Sequence, residues 1–435
     1  ALLTRGSRGC ADAATDAEVV GGLEFRVVHR PVNNWCGGRL AVFAGSFELD
    51  AAEQVCGEGL GPDELLDTLT SLVEKSILIR EEHGSVVRFR ILETLREYGY
   101  EKLEQTGAAV VLRRRHRDWY EALALAAEAE WISARQLDWI ARLKREHANL
   151  REALEFSVDD DPAAGLRIAV ALFLFWSSQG LYNEGRRWYD QLLARESGPP
   201  TLDSVKALYS HSVMAFAQGD LHAATALVEE ARTRTADTSD PLLRAYVDCA
   251  DGMLALYSGD LARACLQLDI ALAEFTERGD QLLQVSILYP LGLAHGLSGR
   301  TDQAIECHER ALAITETHGE TMYRSHSLWA LGIAVWQRGD ADRAVRLLDE
   351  ALELTKRVRS PRVVAARLAA LAWIGLEQHD ALRAAVLLGG RRRAGAGDRK
   401  FRRHPFQPDR LPRGMRRECP ERTRRQSVRS SEAQR

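Results

Sequence analysis

The 435-residue sequence contains no long hydrophobic run. Its longest uninterrupted apolar stretch, Ile168 to Trp176, is far shorter than the about 20 residues that a membrane-spanning helix needs. The first residues, Ala1 to Arg5, provide neither an initiator Met nor the apolar core of a signal peptide. We therefore expect a cytoplasmic protein with no membrane partner, and a sequence that begins inside a longer chain.

Cysteine and lysine are sparse, and their placement excludes several kinds of site. The 7 cysteines are scattered without a C-x-x-C pair, which argues against a disulfide framework and a zinc site. None of the few lysines follows a glycine, so the phosphate-binding loop G-x-x-x-x-G-K-[ST] is missing. No nucleophile and base stand at a recognisable spacing. The sequence predicts no enzyme, no cofactor and no metal.

A repeat of 40 residues dominates the second half of the sequence. A Gly-Asp or Gly-Arg pair recurs at Gly219, Gly259, Gly299 and Gly339, with a degenerate copy at Gly180. Small residues keep the same register: Ala224, Ala264, Ala304 and Ala344 come five residues after the turn, and Gly252, Gly292 and Gly332 come seven before it. Small side chains at fixed distances from a glycine turn are typical of two antiparallel helices that approach closely, so we predict helix hairpins stacked into a solenoid.

Apolar residues at helical spacing fill the segments between the turns. In the segment from Thr301 to Thr317 the apolar stripe includes Ile305, Leu312 and Ile314. The spacing of small residues and the Gly-Asp turn resemble the tetratricopeptide repeat (TPR). The period is longer than the 34 residues of that family, and its usual proline after the second helix is missing. We predict a mainly α fold: an α-solenoid of TPR-like hairpins preceded by a small winged-helix domain.

The winged-helix prediction rests on residues 39–105. An N-cap at Asp50 with Glu53 three residues later indicates a helix start, and an amphipathic helix is expected from Asp63 to Lys75. The run from Ile77 to Ile79 and the alternating run from Val87 to Ile91 then predict a β-hairpin. Helices followed by a two-stranded wing describe a winged helix.

Three blocks of this sequence resemble the large actinobacterial regulators of the AfsR/LuxR type. They run from Arg39 to Phe47, from Ile91 to Tyr98 and from Trp139 to Arg151. The resemblance implies a multidomain signal-transduction ATPase, with a nucleotide-binding core, a winged helix, a TPR-like solenoid and often a DNA-binding helix-turn-helix. The phosphate loop and the terminal helix-turn-helix are both missing here, so the chain resembles the middle of such a regulator.

Direct DNA binding by the predicted winged helix is not expected. Its helix from Asp63 to Lys75 carries four carboxylates against one lysine, which would repel phosphates. The basic run from Arg113 to Arg117 could bind phosphate, but a solvated helix face explains it more simply. We expect DNA to be contacted only indirectly or through a missing domain.

One surface is predicted to bind a protein partner. In TPR-type register, residues thirteen, ten, six and three before each glycine turn face the concave groove, where aromatic side chains would contribute to an interface. The alternative is that these rings pack between neighbouring helices. The candidates are Tyr209, Phe216, Tyr246, Met253, Tyr289, His326, Trp329 and Trp336.

The predicted organisation has five parts. Residues 1–38 form an atypical, poorly ordered segment, 39–105 the winged helix, 106–160 a helical linker, 161–390 the solenoid and 391–435 a basic disordered tail. The tail carries a net charge of +11, which could contact nucleic acid or could reflect a frameshift in GC-rich DNA. The favoured function is a regulatory or scaffolding module of a bacterial transcriptional regulator. The alternatives are a freestanding TPR adaptor and, less plausibly, part of a signalling NTPase.

Overall fold

The computed structural model describes residues 38–358, together with Leu368 and Leu371. The described residues form two compact units. The first contains residues 38–129, 138–172 and 190–196, and the second contains residues 130–137, 173–189 and 197–358 with the two isolated leucines. The predictions for both chain ends, and for the end of the solenoid near residue 390, lie outside the described residues.

Helices account for most of the first unit. Its chain begins with a short 3-10 turn (Leu40–Val42) and strand β1 (Ser46–Phe47), followed by α1 (Leu49–Cys56) and α2 (Pro62–Glu74). Strands β2 (Leu78–His83) and β3 (Val86–Ile91) come next. Helices α3 (Glu93–Gln105), α4 (Ala109–Ala129), α5 (Gln136–Arg145), α6 (His147–Asp160) and α7 (Pro162–Ala171) complete this stretch.

The predicted hairpin is confirmed, and it belongs to a three-stranded antiparallel sheet. Strand β3 lies in the centre, with Arg80 opposite Phe89 on one side and Phe47 opposite Phe89 on the other. Strand β2 continues through His83, so the turn is shorter than the sequence indicated. Strand β1 was not predicted, because a two-residue strand carries no alternating pattern.

The predicted N-cap at Asp50 is wrong. Helix α1 begins at Leu49 with Glu48 as its N-cap, and no side chain makes the capping hydrogen bond. Asp50 instead accepts from its neighbour Ala51 N and pairs with Arg142 at 2.6 Å. The capping-box pattern failed because a tertiary ion pair uses the carboxylate.

Arg88 on β3 connects three parts of the first unit. Its side chain is 1% exposed, and its guanidinium donates to Glu48 Oε1 at 2.9 Å, to Ser46 Oγ at 2.8 Å and to the carbonyl of Arg145 at 3.0 Å. It also pairs with the buried carboxylate of Glu146. A buried charge needs this many partners because removal from water is costly.

Two further side chains complete this network. Tyr120 Oη donates to Glu146 Oε2 at 2.8 Å, and Asn149 accepts from Ala44 N at 2.9 Å while donating to Ser46 O at 3.0 Å. Residues distant in sequence thereby join α4, α6 and the β1 region. Two of the sequence blocks that carry the AfsR/LuxR resemblance meet here.

The basic run on α4 is occupied by carboxylates. Arg113 pairs with Glu152 at 3.0 Å, and Arg114 and Arg117 both pair with Asp160 at 2.7 Å. Arg115 also pairs with a carboxylate. These ion pairs give the run a structural explanation that requires no nucleic acid.

The second unit is built from helix hairpins, and the predicted solenoid is confirmed. Helices α8 (Phe173–Gln179) and α9 (Tyr182–Leu193) precede four hairpins of about equal length. These are α10 (Leu202–Ala217) with α11 (Leu221–Arg234), α12 (Pro241–Ser258) with α13 (Leu261–Glu277), α14 (Gln281–Leu297) with α15 (Thr301–His318), and α16 (Met322–Gln337) with α17 (Ala341–Val358).

The Gly-Asp pair ends one helix and starts the next. The four turn glycines have φ between 75° and 100°, a left-handed conformation that favours glycine at a helix C-terminus. In three of the four hairpins the following aspartate then caps the second helix: Asp220 accepts from Ala223 N at 3.1 Å, and Asp340 accepts from Arg343 N at 2.9 Å. Arg300, which follows Gly299, makes no side-chain cap. The repeat signal therefore has a local cause in the backbone.

The small residues lie where the paired helices touch, as predicted. Each of the four alanines five residues after the turn is at most 1% exposed. A Cβ added to Gly252 would lie 2.7 Å from Leu268 Cγ, and one added to Gly332 would lie 2.9 Å from Leu348 Cγ. Any side chain at these glycines would push the two helices of a hairpin apart.

We expect Gly252→Ala to lower the free energy of unfolding by about 1–3 kcal/mol, because the added methyl overpacks the contact with Leu268. Gly296→Ala is the matched control on another first helix, since its added Cβ would lie 3.7 Å from its nearest neighbour, Ala304. The control should be neutral or stabilising by up to about 1 kcal/mol, because alanine favours helix. Urea unfolding followed by circular dichroism measures both, and equal effects would contradict the packing argument.

We expect Arg88→Met to destabilise the first unit by about 3–5 kcal/mol, because it removes the buried cation from Glu146, although Glu48 keeps its pair with Arg145. Arg80→Met removes an exposed pair with Glu82 and should cost less than about 1 kcal/mol. Urea unfolding of both variants tests the network. A loss for Arg88→Met no larger than for the control would show that the buried cluster contributes little.

Candidate functional site: the inner face of the repeats

The first helices of successive hairpins form one layer. Helices α10, α12, α14 and α16 pack against one another in order, whereas each second helix packs on the first helix of its own and of the following hairpin. Contacts between successive second helices are much fewer. The layer of first helices, which we call the inner face, therefore carries the positions that TPR register predicted to line a groove.

The structure places the eight candidate residues on this layer at two depths. The buried members, each at most 9% exposed, are Tyr209, Phe216, Tyr246 and Trp329. The half-buried members are Met253, Tyr289, His326 and Trp336. The first set belongs to the core of the solenoid, and only the second set has surface to offer a partner.

Aromatic candidates from neighbouring hairpins touch one another. The rings of Tyr209 and Tyr246 lie 5.8 Å apart, and those of Tyr289 and His326 lie 5.4 Å apart in an edge-to-face arrangement. Phe216 stacks at 5.2 Å on Tyr257, a residue that the register analysis missed. Such ring pairs contribute about 0.5–1.5 kcal/mol beyond their buried area, so they stabilise the order of the hairpins.

The buried phenol of Tyr209 and the buried thiol of Cys249 on the inner face are not activated as nucleophiles. Burial raises the pKa of the Tyr209 phenol well above its usual value, and burial raises the pKa of the neighbouring Cys249 thiol to about 12. Both groups are protonated at neutral pH, so Cys249 supplies no thiolate. Among residues 38–358 no three His, Cys, Asp or Glu side chains are grouped to hold a metal. In the same range no helix has the length and apolar character to span a membrane.

One buried carboxylate on α12, that of Asp251, makes ion pairs with two arginines. Asp251 is 4% exposed and accepts from Arg263 at 2.6 and 2.9 Å, and it also pairs with Arg232. Burial, followed by the charge of Asp251, raises the pKa of the adjacent Asp248. These arginines come from the second helices on either side, so the ion pairs fasten neighbouring hairpins together.

A polar contact that the sequence did not indicate lies at the start of α16. Gln136 is fully buried and donates through Nε2 to Glu320 Oε1 at 2.6 Å. Its Oε1 accepts from the backbone N–H groups of Thr321 at 3.2 Å and Met322 at 3.0 Å. Gln136 and Glu320 are 184 positions apart, so no periodic pattern in the sequence indicates their contact. The contact is evident only in the structure.

Known proteins resemble parts of this chain. The Tetratricopeptide repeat family matches residues 326–362, which include helix α16 from His326 onward and helix α17. A Mycobacterium tuberculosis protein and its Mycobacterium bovis counterpart, each named "Putative HTH-type transcriptional regulator", are 37% identical over 157 residues. That match covers 36% of this chain and 18% of each relative, so the chain spans less than a fifth of their length.

Two solved structures match this chain at low identity. A signal transduction ATPase with a tetratricopeptide repeat sensor from Pyrococcus horikoshii gives a TM-score of 0.49 at 12% identity, covering 87% of this chain and 62% of that one. A Rap protein complexed with competence and sporulation factor gives 0.47 at 14% identity, covering 65% and 78%. At identities this low, the two matches give no information about the function of this chain.

Buried histidines should make the fold sensitive to acid. His308 is 1% exposed against Tyr289, and burial lowers its pKa to about 3. The folded state keeps it neutral while the unfolded chain binds a proton below about pH 6.5, so this contribution to stability is present above that pH and is lost as the pH falls. His308→Gln should reduce the loss of unfolding free energy between pH 7 and pH 5 by about 2 kcal/mol.

Urea unfolding at pH 8, 7 and 5 measures this effect, and the pH 8 value gives the pH-independent cost of the substitution. Equal losses for wild type and His308→Gln between pH 7 and pH 5 would show that the imidazole is not held neutral.

Proposed function

We propose that this chain is a non-catalytic regulatory or scaffolding module of a bacterial transcriptional regulator of the AfsR/LuxR type. It binds a protein partner or an effector through the inner face of its TPR-like repeats and acts in the cytoplasm. The identity to HTH-type regulators and the TPR match support the coarse assignment. The AfsR/LuxR subtype and the partner-binding role go beyond that assignment and are the proposal itself.

The observation that carries the proposal is the half-buried set on the inner face. Met253, Tyr289, His326 and Trp336 come from three consecutive first helices and combine apolar bulk with partial exposure. Side chains of this kind supply much of the binding energy at protein interfaces. We assign the partner contact to these four, with Tyr209, Phe216, Tyr246 and Trp329 supporting the surface from beneath.

The first unit has a different role in this proposal. The three-stranded sheet with its neighbouring helices supports a winged helix at residues 39–105, followed by a helical linker at 106–160 and the solenoid at 161–390. Helix α2 carries Asp63, Glu64, Asp67 and Glu74, so this winged helix acts as a spacer and not as a DNA reader. DNA is reached through another part of the regulator.

We expect the double substitution Tyr289→Ala and Trp336→Ala to weaken partner capture by at least tenfold, because each interface aromatic is worth about 2 kcal/mol when truncated. The measurement is quantitative affinity capture from an actinobacterial extract on the immobilised full chain, with captured proteins identified by mass spectrometry.

Leu266→Ala provides the control for this experiment. Leu266 lies on second helix α13 and is 59% exposed, so its truncation removes an apolar surface away from the inner face. If the double variant retains the captured proteins as well as Leu266→Ala does, the assignment of the partner contact to the inner face is refuted. Measurable affinity for Mg-ATP would instead favour the signalling NTPase, and captured proteins with no link to transcription would favour the freestanding adaptor.

A further inference from the structure

One cation on the inner face has no anionic partner. Lys206 on α10 is half-buried, and its ammonium lies 5.8 Å from the centre of the Tyr246 ring on α12. No carboxylate among residues 38–358 pairs with it, and Asp203, one turn earlier on the same helix, is no exception. Arginines of the second helices do have such partners, as Arg343 has in Glu309 at 2.8 Å. A half-buried ammonium without a counter-ion can still bind an anionic group, and water screens that attraction less than at an exposed site.

The register positions of the inner face carry no negative charge. The positions thirteen, ten, six and three before each glycine turn hold neither Asp nor Glu on α10, α12, α14 or α16, and Lys206 is the only Lys or Arg among them. The outer surface of second helix α15 differs, because Asp302, Glu306 and Glu309 are exposed there. An anionic group at these inner-face positions therefore meets a cation and no opposing carboxylate.

A hydroxyl donor lies beside the same group of rings. Tyr323 on α16 is half-buried and close enough to Tyr209 on α10 and Cys249 on α12 to interact with both electrostatically. The surrounding protein, followed by the charge of Glu320, raises the pKa of its phenol, so the hydroxyl keeps its proton at neutral pH. The Glu320 carboxylate itself is bound by backbone N–H groups at 2.8 Å. The Tyr323 hydroxyl has no acceptor within residues 38–358 and can donate to a ligand, as the Lys206 ammonium can.

The apolar part of the inner face extends well beyond Lys206. Met253 on α12, Tyr289 on α14 and Trp336 on α16 are half-buried and follow one another on consecutive first helices. Packed helices lie about 8–10 Å apart, so the four first helices span about 24–30 Å. An extended chain of about eight or nine residues has this length at about 3.3 Å per residue. The surface therefore fits a peptide segment better than a compact small molecule.

We propose that the inner face binds an extended peptide segment of a partner, with one peptide carboxylate at Lys206 and Tyr323 and apolar peptide side chains on α12, α14 and α16. This inference rests on the proposed function and deepens it by naming the class of partner. The carboxylate fixes where the segment begins on the solenoid, because the register positions offer a cation on α10 alone. The apolar contacts supply most of the affinity.

The first test selects peptides from a phage-displayed library of random peptides on the immobilised full-length chain. Wild type should enrich Asp or Glu at one fixed position, by roughly threefold or more over the starting library, next to apolar residues. Lys206→Glu should enrich Lys or Arg at that position instead, because the sign of the inner-face charge is reversed. Failure to enrich an acidic position on wild type, or the same acidic preference on Lys206→Glu, overturns the proposal.

The second test measures the affinity of the most enriched peptide by fluorescence anisotropy, together with a copy in which the acidic side chain is replaced by its amide. Wild type should bind the acidic peptide about tenfold more tightly than the amide copy. Lys206→Met should bind both equally, because methionine keeps an apolar contact with the Tyr246 ring and removes the charge. Tyr323→Phe should bind the acidic peptide about threefold more weakly than wild type does. Equal binding of both peptides by wild type, or an acidic preference retained by Lys206→Met, refutes the carboxylate contact.

Lys356→Met is the matched control for the charge. Lys356 is exposed on second helix α17 and pairs with Glu353, and its removal changes the net charge by the same amount as Lys206→Met. The control should keep the tenfold preference for the acidic peptide. A loss as large as that of Lys206→Met would show that net charge and not the inner face sets the preference, and would overturn the proposal. Circular dichroism of each variant reports whether the helical fold is retained.

Failure of this inference and failure of the proposed function give different results. The double substitution at Tyr289 and Trp336 leaves Lys206 intact, and Lys206→Met leaves both aromatic residues intact. Partner capture that depends on the two aromatic residues, together with no preference for acidic peptides, refutes this inference alone. An acidic preference that depends on Lys206, together with capture that ignores the two aromatic residues, refutes the proposed function alone.

Discussion

The solenoid depends on how closely two helices of one hairpin can approach. At Gly252 and Gly332 the first helix meets a leucine of the second helix with no room for a methyl group. The buried alanines on the second helices meet the same requirement from the other side. Because backbones this close leave little space for large side chains between them, the bulky residues are directed to the contacts between successive hairpins.

That constraint explains why the repeats could be predicted from sequence. The glycine turn, its following aspartate and the small-residue columns each act within a single hairpin, so they recur every 40 residues and are visible without a structure. The hairpin of β2 and β3 was visible for the same reason, since alternation is a local property. The predictions succeeded wherever the cause of the structure lies within a few residues.

Long-range contacts account for the misses. The sequence around Asp50 resembles an N-cap. In the structure, however, Asp50 pairs with Arg142, which lies 92 residues away. TPR register identified the inner face but could not separate Tyr246, which is buried, from Tyr289, which is not. Depth depends on which neighbouring helix covers a position, and the spacing from a turn does not contain that information. Gln136 had no signal, because a single glutamine at the start of a helix is ordinary.

The connection between Gln136 and Glu320 also has a consequence for biosynthesis. Hairpins of the solenoid join residues near in sequence and can form as soon as they leave the ribosome, whereas this contact closes a loop of 184 residues. At roughly 5–20 residues per second, residues 130–137 wait about 10–40 s before the start of α16 exists. For that interval Gln136 lacks the Glu320 carboxylate and the Thr321 and Met322 amides that bind its carboxamide in the folded protein, so this corner of the solenoid forms only after the start of α16 has been synthesised.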